Sequence, residues 1–390
     1  MGFWIGEHTD DGYQAPWIYR FLKPEISGND MNGLGETELR RPTPILWHRL
    51  KYINHKWVQL LFQSRFRPRI ILRHTAMAKH FITMKRRKKK LKKALPNPKV
   101  QVLGENPTKI VKDKAVELGS ETVGITKMRP EWIFESYEIP DWAQQALDED
   151  RLYLVLMAVQ HEKESFESSP SWAFSKEIAN QYNQGSDIAI QLAQWLLNKG
   201  YRAYGHGGPE AGEFTLTPAA IEAGIGELGK HGSLINPKLG GNFRVACVYT
   251  TLELETDNAA EFGIDDFCMR CQICTKECPP DAISDGKKMV RGVEKFYVDF
   301  EKCFPYMTDH YGCGICLRVC PWSQENIVEK VFRKQQKRVF GNEIRNDLIA
   351  IEHSVYSPLN VGIINGVESL QAKAAGEPLF YQPEMAARKA

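Results

Sequence analysis

The chain has 390 residues, of which 43% are hydrophobic and 25% charged, with a formal net charge of only +3. That composition supports a globular chain with a sizeable core and excludes collagen, coiled coil and wholesale disorder. No window approaches about 18 uninterrupted apolar residues, so no membrane span is expected.

Residues 1–45 are rich in Gly, Pro and polar residues and read as an irregular lead-in. The first 30 residues, from Met1 to Asp30, contain no charged segment followed by an apolar one, and neither of the paired arginines of the first 100 residues, Arg40-Arg41 and Arg86-Arg87, precedes an apolar stretch. The expected location is therefore the cytoplasm. Residues 46–63 are expected to be helical, because Leu46, Leu50, Ile53, Trp57, Leu60 and Leu61 recur at three- and four-residue spacing. Such a helix either packs on the body or lies at a membrane interface as a peripheral contact. From Lys85 to Lys93, eight of nine residues are basic. This run is either a solvated linker face or an attraction for anionic lipid or RNA. Leu95-Pro96-Asn97-Pro98 then breaks any helix, so residues 1–98 read as a basic N-terminal extension.

From about residue 100 strand and helix patterns alternate. A helix is expected over Lys109–Leu118, a short strand over Thr122–Thr126 and a buried strand over Leu152–Val159. An amphipathic helix is expected over Ser186–Asn198, ended by Gly200. A glycine-rich loop (Tyr204–Gly212), a helix from Pro218 and a strand over Arg244–Leu252 follow. Residues 99–260 thus form one α/β unit and 261–330 a second. Residues 331–390 have no strong periodicity and read as a basic helix and a loose tail.

The cysteines carry the most specific signal. There are nine, and eight lie between Cys268 and Cys320. A secreted disulfide scaffold would spread them through a small chain, whereas this clustering points to metal ligation. The first motif is Cys268-x2-Cys271-x2-Cys274-x3-Cys278-Pro279, and the second is Cys303-x9-Cys313-x2-Cys316-x3-Cys320-Pro321. Two-residue gaps let a tight loop wrap three irons, while the remote Cys before Pro ligates the other cluster. On that logic Cys268, Cys271, Cys274 and Cys320 bind one [4Fe–4S] cluster, and Cys303, Cys313, Cys316 and Cys278 bind a second. Zinc is the alternative, but it requires neither the third cysteine nor the Cys-Pro ending. Cys247 is left over and reads as a core residue.

Beyond the cysteines, residues 105 to 325 resemble the corrinoid, iron–sulfur reductive dehalogenases and the related epoxyqueuosine reductases. The stretches that carry the resemblance are KAVELGSETVGIT (Lys114–Thr126), SSPSWAFSKEIANQY (Ser168–Tyr182), AIEAGIGELGKHGSLINPKLGGNFR (Ala220–Arg244), VYTTLELETD (Val248–Asp257), FGIDDFCMRCQICTKECPPDAIS (Phe262–Ser284) and YGCGICLRVCPWS (Tyr311–Ser323). The resemblance implies an α+β fold: a nitroreductase-like cobalamin-binding core with a ferredoxin-like module of two [4Fe–4S] clusters. It also implies that the clusters feed a corrin with electrons and that a positioned group supplies a proton. Gly224, Gly226 and Gly229, with His231 and Pro237 in the same run, would then face the corrin or its nucleotide tail.

In the dehalogenases the proton donor is a tyrosine just before a helix, a place that Tyr182 takes here. The residues after it, Asn183-Gln184-Gly185, depart from that family's Ser-x-Met. In the epoxyqueuosine branch an aspartate serves, and Asp187 lies nearby. Arg244 matches the basic residue that lowers the donor's pKa. The loop Gly205–Phe214 lacks the family's usual Asn; it offers His206 and Glu210 instead, although a lone His in a Gly loop is usually solvated.

The function so implied is a cobalamin-dependent reductase acting on a small organohalide, supplied by a separate ferredoxin, flavodoxin or reductase. Two other functions stay open: an epoxyqueuosine-reductase-like enzyme on tRNA, and a non-catalytic electron carrier. Against the tRNA function, Glu227 stands where that branch has Trp, and no helical-repeat domain is evident, so nucleic acid is not the expected partner.

Overall fold

The structure, a computed structural model, describes residues 6–9, 12–15, 17, 27–44, 86–87, 91, 94–135, 137–206 and 212–324. The helix expected over 46–63, most of the basic run, Glu210 and the tail from 331 lie outside the described residues.

A short hairpin, β1 (Glu7–Thr9) and β2 (Gly12–Gln14), precedes the one-turn helix α1 (Gly28–Met31). The core begins at α2 (Pro107–Glu117). Asn106 caps this helix by accepting from the Lys109 N–H, and Pro107 fills the first position, where no donor is needed. Next come β3 (Thr122–Lys127), α3 (Asp141–Asp148), β4 (Tyr153–Gln160), α4 (Lys163–Glu167) and α5 (Trp172–Asn198). The order continues with β5 (Ala203–His206), α6 (Leu216–Glu222), the short pair β6 (Glu227–Leu228) and β7 (Leu234–Ile235), and β8 (Phe243–Thr250).

The largest sheet among the described residues is antiparallel, in the order β3-β4-β8-β5. Side chains alternate across it, so Ala246 and Val159 share one face with Arg244, while Cys247 shares the other with Tyr249 and His206. Helix α5 covers the first face: a Cβ on Gly185 would meet the Cβ of Ala246 at 3.2 Å, and one on Gly205 would meet the Ala189 carbonyl at 2.6 Å. Helices α3 and α6 cover the second. Trp142 stacks on Tyr249 with centroids 5.6 Å apart, and Gly124 leaves room for the Ala223 carbonyl. Both faces are buried, which is why β4 reads as an unbroken apolar run.

Helix α5 is 27 residues long and starts at Trp172, not at Ser186. Ser171 caps it by accepting from the Phe174 N–H. Gly185 costs about 1 kcal/mol in a helix interior, but its missing side chain seats the helix on the sheet. Tyr182 therefore sits within a helix, not before one. The expected loop from Tyr204 also begins inside a strand, β5. His206 is buried there and stacked on Phe214 with centroids 4.2 Å apart, not solvated.

After β8 come α7 (Ile264–Cys271), α8 (Ile273–Lys276), the hairpin β9 (Ile283–Val290) and β10 (Val293–Val298), α9 (Phe300–Asp309) and α10 (Ile315–Arg318). Residues 27–44 are bound to this module. Leu34 bridges to Val290, and the Asn29 Oδ1 accepts from the Phe300 N–H and the Tyr297 hydroxyl, both at 2.8 Å. Arg41 donates to the Ile133 and Phe134 carbonyls of the core at 2.8 Å each. The lead-in thus laces the two units together. Among the described residues no helix is long and apolar enough to cross a membrane.

Candidate active site

The eight cysteines of the two motifs fall into two groups. Cys320, the last of the second motif, lies among Cys268, Cys271 and Cys274 and feels the charge of all three. Cys278, the last of the first motif, acts on Cys303, Cys313 and Cys316. Cys316 also feels Cys274, so the two groups are neighbours. Among the described residues no three His, Cys, Asp or Glu side chains gather on a single-ion site. Two groups of four thiols are what a pair of multinuclear clusters requires.

Burial dominates these thiols. It pushes Cys268 and Cys303 up to about 12 and Cys274 up to about 11, and it raises Cys316 and Cys320 as well. A thiolate in such a place needs a cation beside it, which iron supplies. The loops are shaped for this. Gln272 has φ 54°, which turns the chain between Cys271 and Cys274. Tyr311, Gly312, Cys313 and Gly314 all have positive φ, from 47° to 90°. That conformation turns the Gly314 and Ile315 N–H groups onto the Cys313 sulfur. Only glycine adopts it freely, and Tyr311 and Cys313 carry strain there.

Helix α5 links this loop to the sheet. The Ser169 Oγ donates to the Cys313 carbonyl at 2.9 Å, and Phe174 packs where a Gly314 side chain would lie. Two turns further along α5, the Tyr182 ring lies under the Arg244 guanidinium at 4.6 Å. Arg244 comes from the start of β8, on the face that α5 covers. Asp187 is five residues on, about 140° around the helix. It is ion-paired there with Arg87 of the basic run. The structure brings Tyr182 and Arg244 together and places Asp187 elsewhere.

Sequence reasoning missed a buried polar group next to this pair. His161 follows β4 and is 5% exposed, with its Nδ1 3.8 Å from the Glu177 Oε1, too far for a hydrogen bond. Burial pushes the His161 imidazole down to about 4, and Arg244 adds to that, against the pull of Glu177. Burial would raise Glu177, but the contact with His161, the Glu162 N–H and the Gln181 amide hold it down at about 2. The available signals were the polar residue at the end of a buried strand and the Glu177/Gln181 pair at helical spacing.

The run from Gly224 to Pro237 has its own internal logic. Gly224 turns the chain with φ 70°. Gly226 lets the Ile235 carbonyl approach, and Gly229 accommodates Ile235 and His231. The Asn236 side chain folds the Asn-Pro-Lys turn by accepting from the Lys238 and Leu239 N–H groups and donating to the Ile225 carbonyl. Packing alone therefore accounts for Gly226 and Gly229. Pro237 lies buried within that turn. His231 differs: it is buried, and its Nε2 has no partner. Asn242 Oδ1, Arg244 Nε and His161 Nδ1 are also buried and unpaired. His231 Nε2 lies 3.6 Å from where a Cβ on Gly241 would stand, and the chain runs from there through Asn242 to Arg244 of the Tyr182–Arg244 pair, a row of unpaired polar atoms along one segment. Such a row suits a large ligand rich in amide groups.

Residues 267–339 match the 4Fe-4S dicluster domain family. The chain is 32% identical over 198 residues to a tetrachloroethene reductive dehalogenase of Desulfitobacterium hafniense, a match covering 47% of this chain and 35% of the relative. A tetrachloroethene reductive dehalogenase of Sulfurospirillum multivorans is 26% identical over 258 residues, covering 56% of this chain and 51% of the relative. The chain is a homologue of the reductive dehalogenases. An epoxyqueuosine reductase of Leadbetterella byssophila is also similar, 33% identical over 121 residues, covering 27% of this chain and 35% of the relative. Among solved structures, a reductive dehalogenase described with a mechanism for B12-dependent dehalogenation aligns with a TM-score of 0.57 and 27% identity, covering 73% of this chain and 43% of that one. The fold is also that of the catabolic reductive dehalogenase NpRdhA solved with 3-bromo-4-hydroxybenzoic acid, with a TM-score of 0.61 and 24% identity over 89% of this chain and 53% of that one. The mixed helix-and-sheet fold and the iron–sulfur module expected for this homology are thus both present. The chain spans about a third to a half of the length of the dehalogenase relatives it matches.

Proposed function

We propose that this chain is a cobalamin-dependent iron–sulfur oxidoreductase that removes halide reductively from a small organic substrate. Cys268, Cys271, Cys274 and Cys320 hold one [4Fe–4S] cluster, and Cys278, Cys303, Cys313 and Cys316 hold the other. His231, Asn242 and Arg244 carry the unpaired polar atoms available to a corrin. When bound, the corrin supplies the strongly reducing centre at which the carbon–halogen bond breaks. Two electrons arrive through the clusters from a separate donor protein, one proton is added at carbon and one halide leaves.

The observation that carries this function is the Arg244 guanidinium over the Tyr182 ring, 4.6 Å away, on a helix whose first turn packs Phe174 against the Cys313 loop and whose preceding Ser169 bonds to it. Tyr182 gives up the proton from its phenol oxygen. Arg244 holds the ring in place and stabilises the negative charge that develops there. The test is anaerobic reconstitution with iron, sulfide and cobalamin, followed by halide release from tetrachloroethene or 3-bromo-4-hydroxybenzoic acid with a low-potential donor. Cobalamin retention with stoichiometric halide release is expected. Retention of about eight irons without any corrin would leave the chain an electron carrier.

A further inference from the structure

Lys230 is a buried lysine, 1% exposed. Its Nζ donates to the Asp285 carbonyl at 2.7 Å and stands 5.6 Å from the centre of the Phe296 ring. Among the described residues no carboxylate pairs with it. Isolated charges are not tolerated in protein interiors, so an opposite charge must be close by. The groups that answer are cysteines. The Lys230 backbone N–H donates to the Cys268 sulfur, and its side-chain charge acts on Cys268 and Cys274.

We infer that Lys230 is the built-in counter-ion of the cluster held by Cys268, Cys271, Cys274 and Cys320, and that it raises that cluster's reduction potential. The inference rests on the two-cluster assignment above. Reduction adds one negative charge to the cluster, and a fixed cation in a dry surrounding favours the more negative form. Two cations act on the thiols of the other group, Lys302 on Cys278 and Arg318 on Cys313, and neither is buried as Lys230 is. Lys302, which acts on Cys278, is half exposed and paired with Asp281, so water screens it. Lys230 is a positioning residue: it touches the cluster's ligands and takes no part in bond making.

The test is an anaerobic redox titration of the reconstituted full chain, followed by electron paramagnetic resonance, on wild type and on Lys230→Met. Iron and sulfide analysis of the wild type comes first: about eight irons establish the clusters, independently of Lys230. In Lys230→Met one of the two midpoints moves to more negative potential while the other stays. The expected change is at least a tenfold loss in the reduced-to-oxidised ratio at the native midpoint, about 59 mV for a one-electron couple. If neither midpoint moves, or both move equally, the inference is overturned. If Lys230→Met fails to hold its cluster, Lys230→Arg decides. A cluster regained with the native midpoint upholds a role for charge; loss of the cluster in both variants overturns it.

Discussion

The Arg244 guanidinium lies 4.6 Å from the centre of the Tyr182 ring, and the two come from different faces of one interface, strand β8 and helix α5. A cation over an aromatic face contributes about 0.5–2 kcal/mol, and more when desolvated. The pair fixes where the phenol can sit before any substrate arrives.

Tyr182→Phe removes only the phenol hydroxyl, and with it the transferable proton. Loss of a positioned general acid typically costs about 10²–10⁴-fold. Turnover is therefore expected to fall by that factor, with iron and cobalamin contents unchanged. Arg244→Met is expected to slow the same step. Asp187→Asn breaks a partly exposed pair with Arg87 and should leave turnover within a few-fold of wild type. The measurement is halide release per bound corrin. If Asp187→Asn abolishes turnover and Tyr182→Phe does not, the donor assignment moves to Asp187.

Crossed ligation has a signature in paired variants. Cys268→Ala with Cys320→Ala removes two ligands of one cluster, so about four irons should remain. Cys313→Ala with Cys320→Ala strikes both clusters although both residues belong to one motif. Iron analysis and Mössbauer spectra distinguish the two. Four irons retained in the second pair and none in the first would mean that each motif keeps its own cluster.

The Lys112 ammonium contacts the Asp257 carboxylate at 2.5 Å, with 6% and 12% of the side chains exposed. Asp257 also accepts from the Ile125 N–H at 2.7 Å, tying strand β3 to residues beyond β8. Removing one partner of a buried pair typically costs about 3–5 kcal/mol. Lys112→Met should lower the thermal midpoint accordingly. A drop no larger than that of the exposed-pair variant Lys109→Met would refute this.

His161 is pushed down to about 4 by burial, whereas an unfolded histidine titrates near 6.5. Between these values the unfolded chain binds more protons than the folded one. Stability attributable to His161 therefore rises with pH from about 4 to 6.5 and is full above that, on the order of 3 kcal/mol. His161→Phe should flatten this part of the stability–pH curve. Anaerobic denaturation at several pH values measures it, and an unchanged slope counts against the assignment.

The cysteine spacing made the iron–sulfur module legible, because cluster ligation fixes short, exact intervals. The apolar run of β4 was legible for a similar reason: burial on both faces leaves no polar position. The start of α5 was not, because a glycine inside a helix looks like a break until Ala246 is seen beneath it. His161 and Glu177 escaped notice because they are 16 residues apart and meet only when β4 ends beside α5. The role of residues 27–44 was hidden most deeply, since Asn29 and Phe300 share no local pattern at all.

That last contact joins positions 271 residues apart. At about 5–20 residues per second of synthesis, the N-terminal clasp waits roughly 15–50 s before its docking surface exists. It can close only after every ligand of the first motif has been made and α9 has begun. The surface that receives the clasp and the cysteines of the second motif are therefore made in the same late stretch of synthesis.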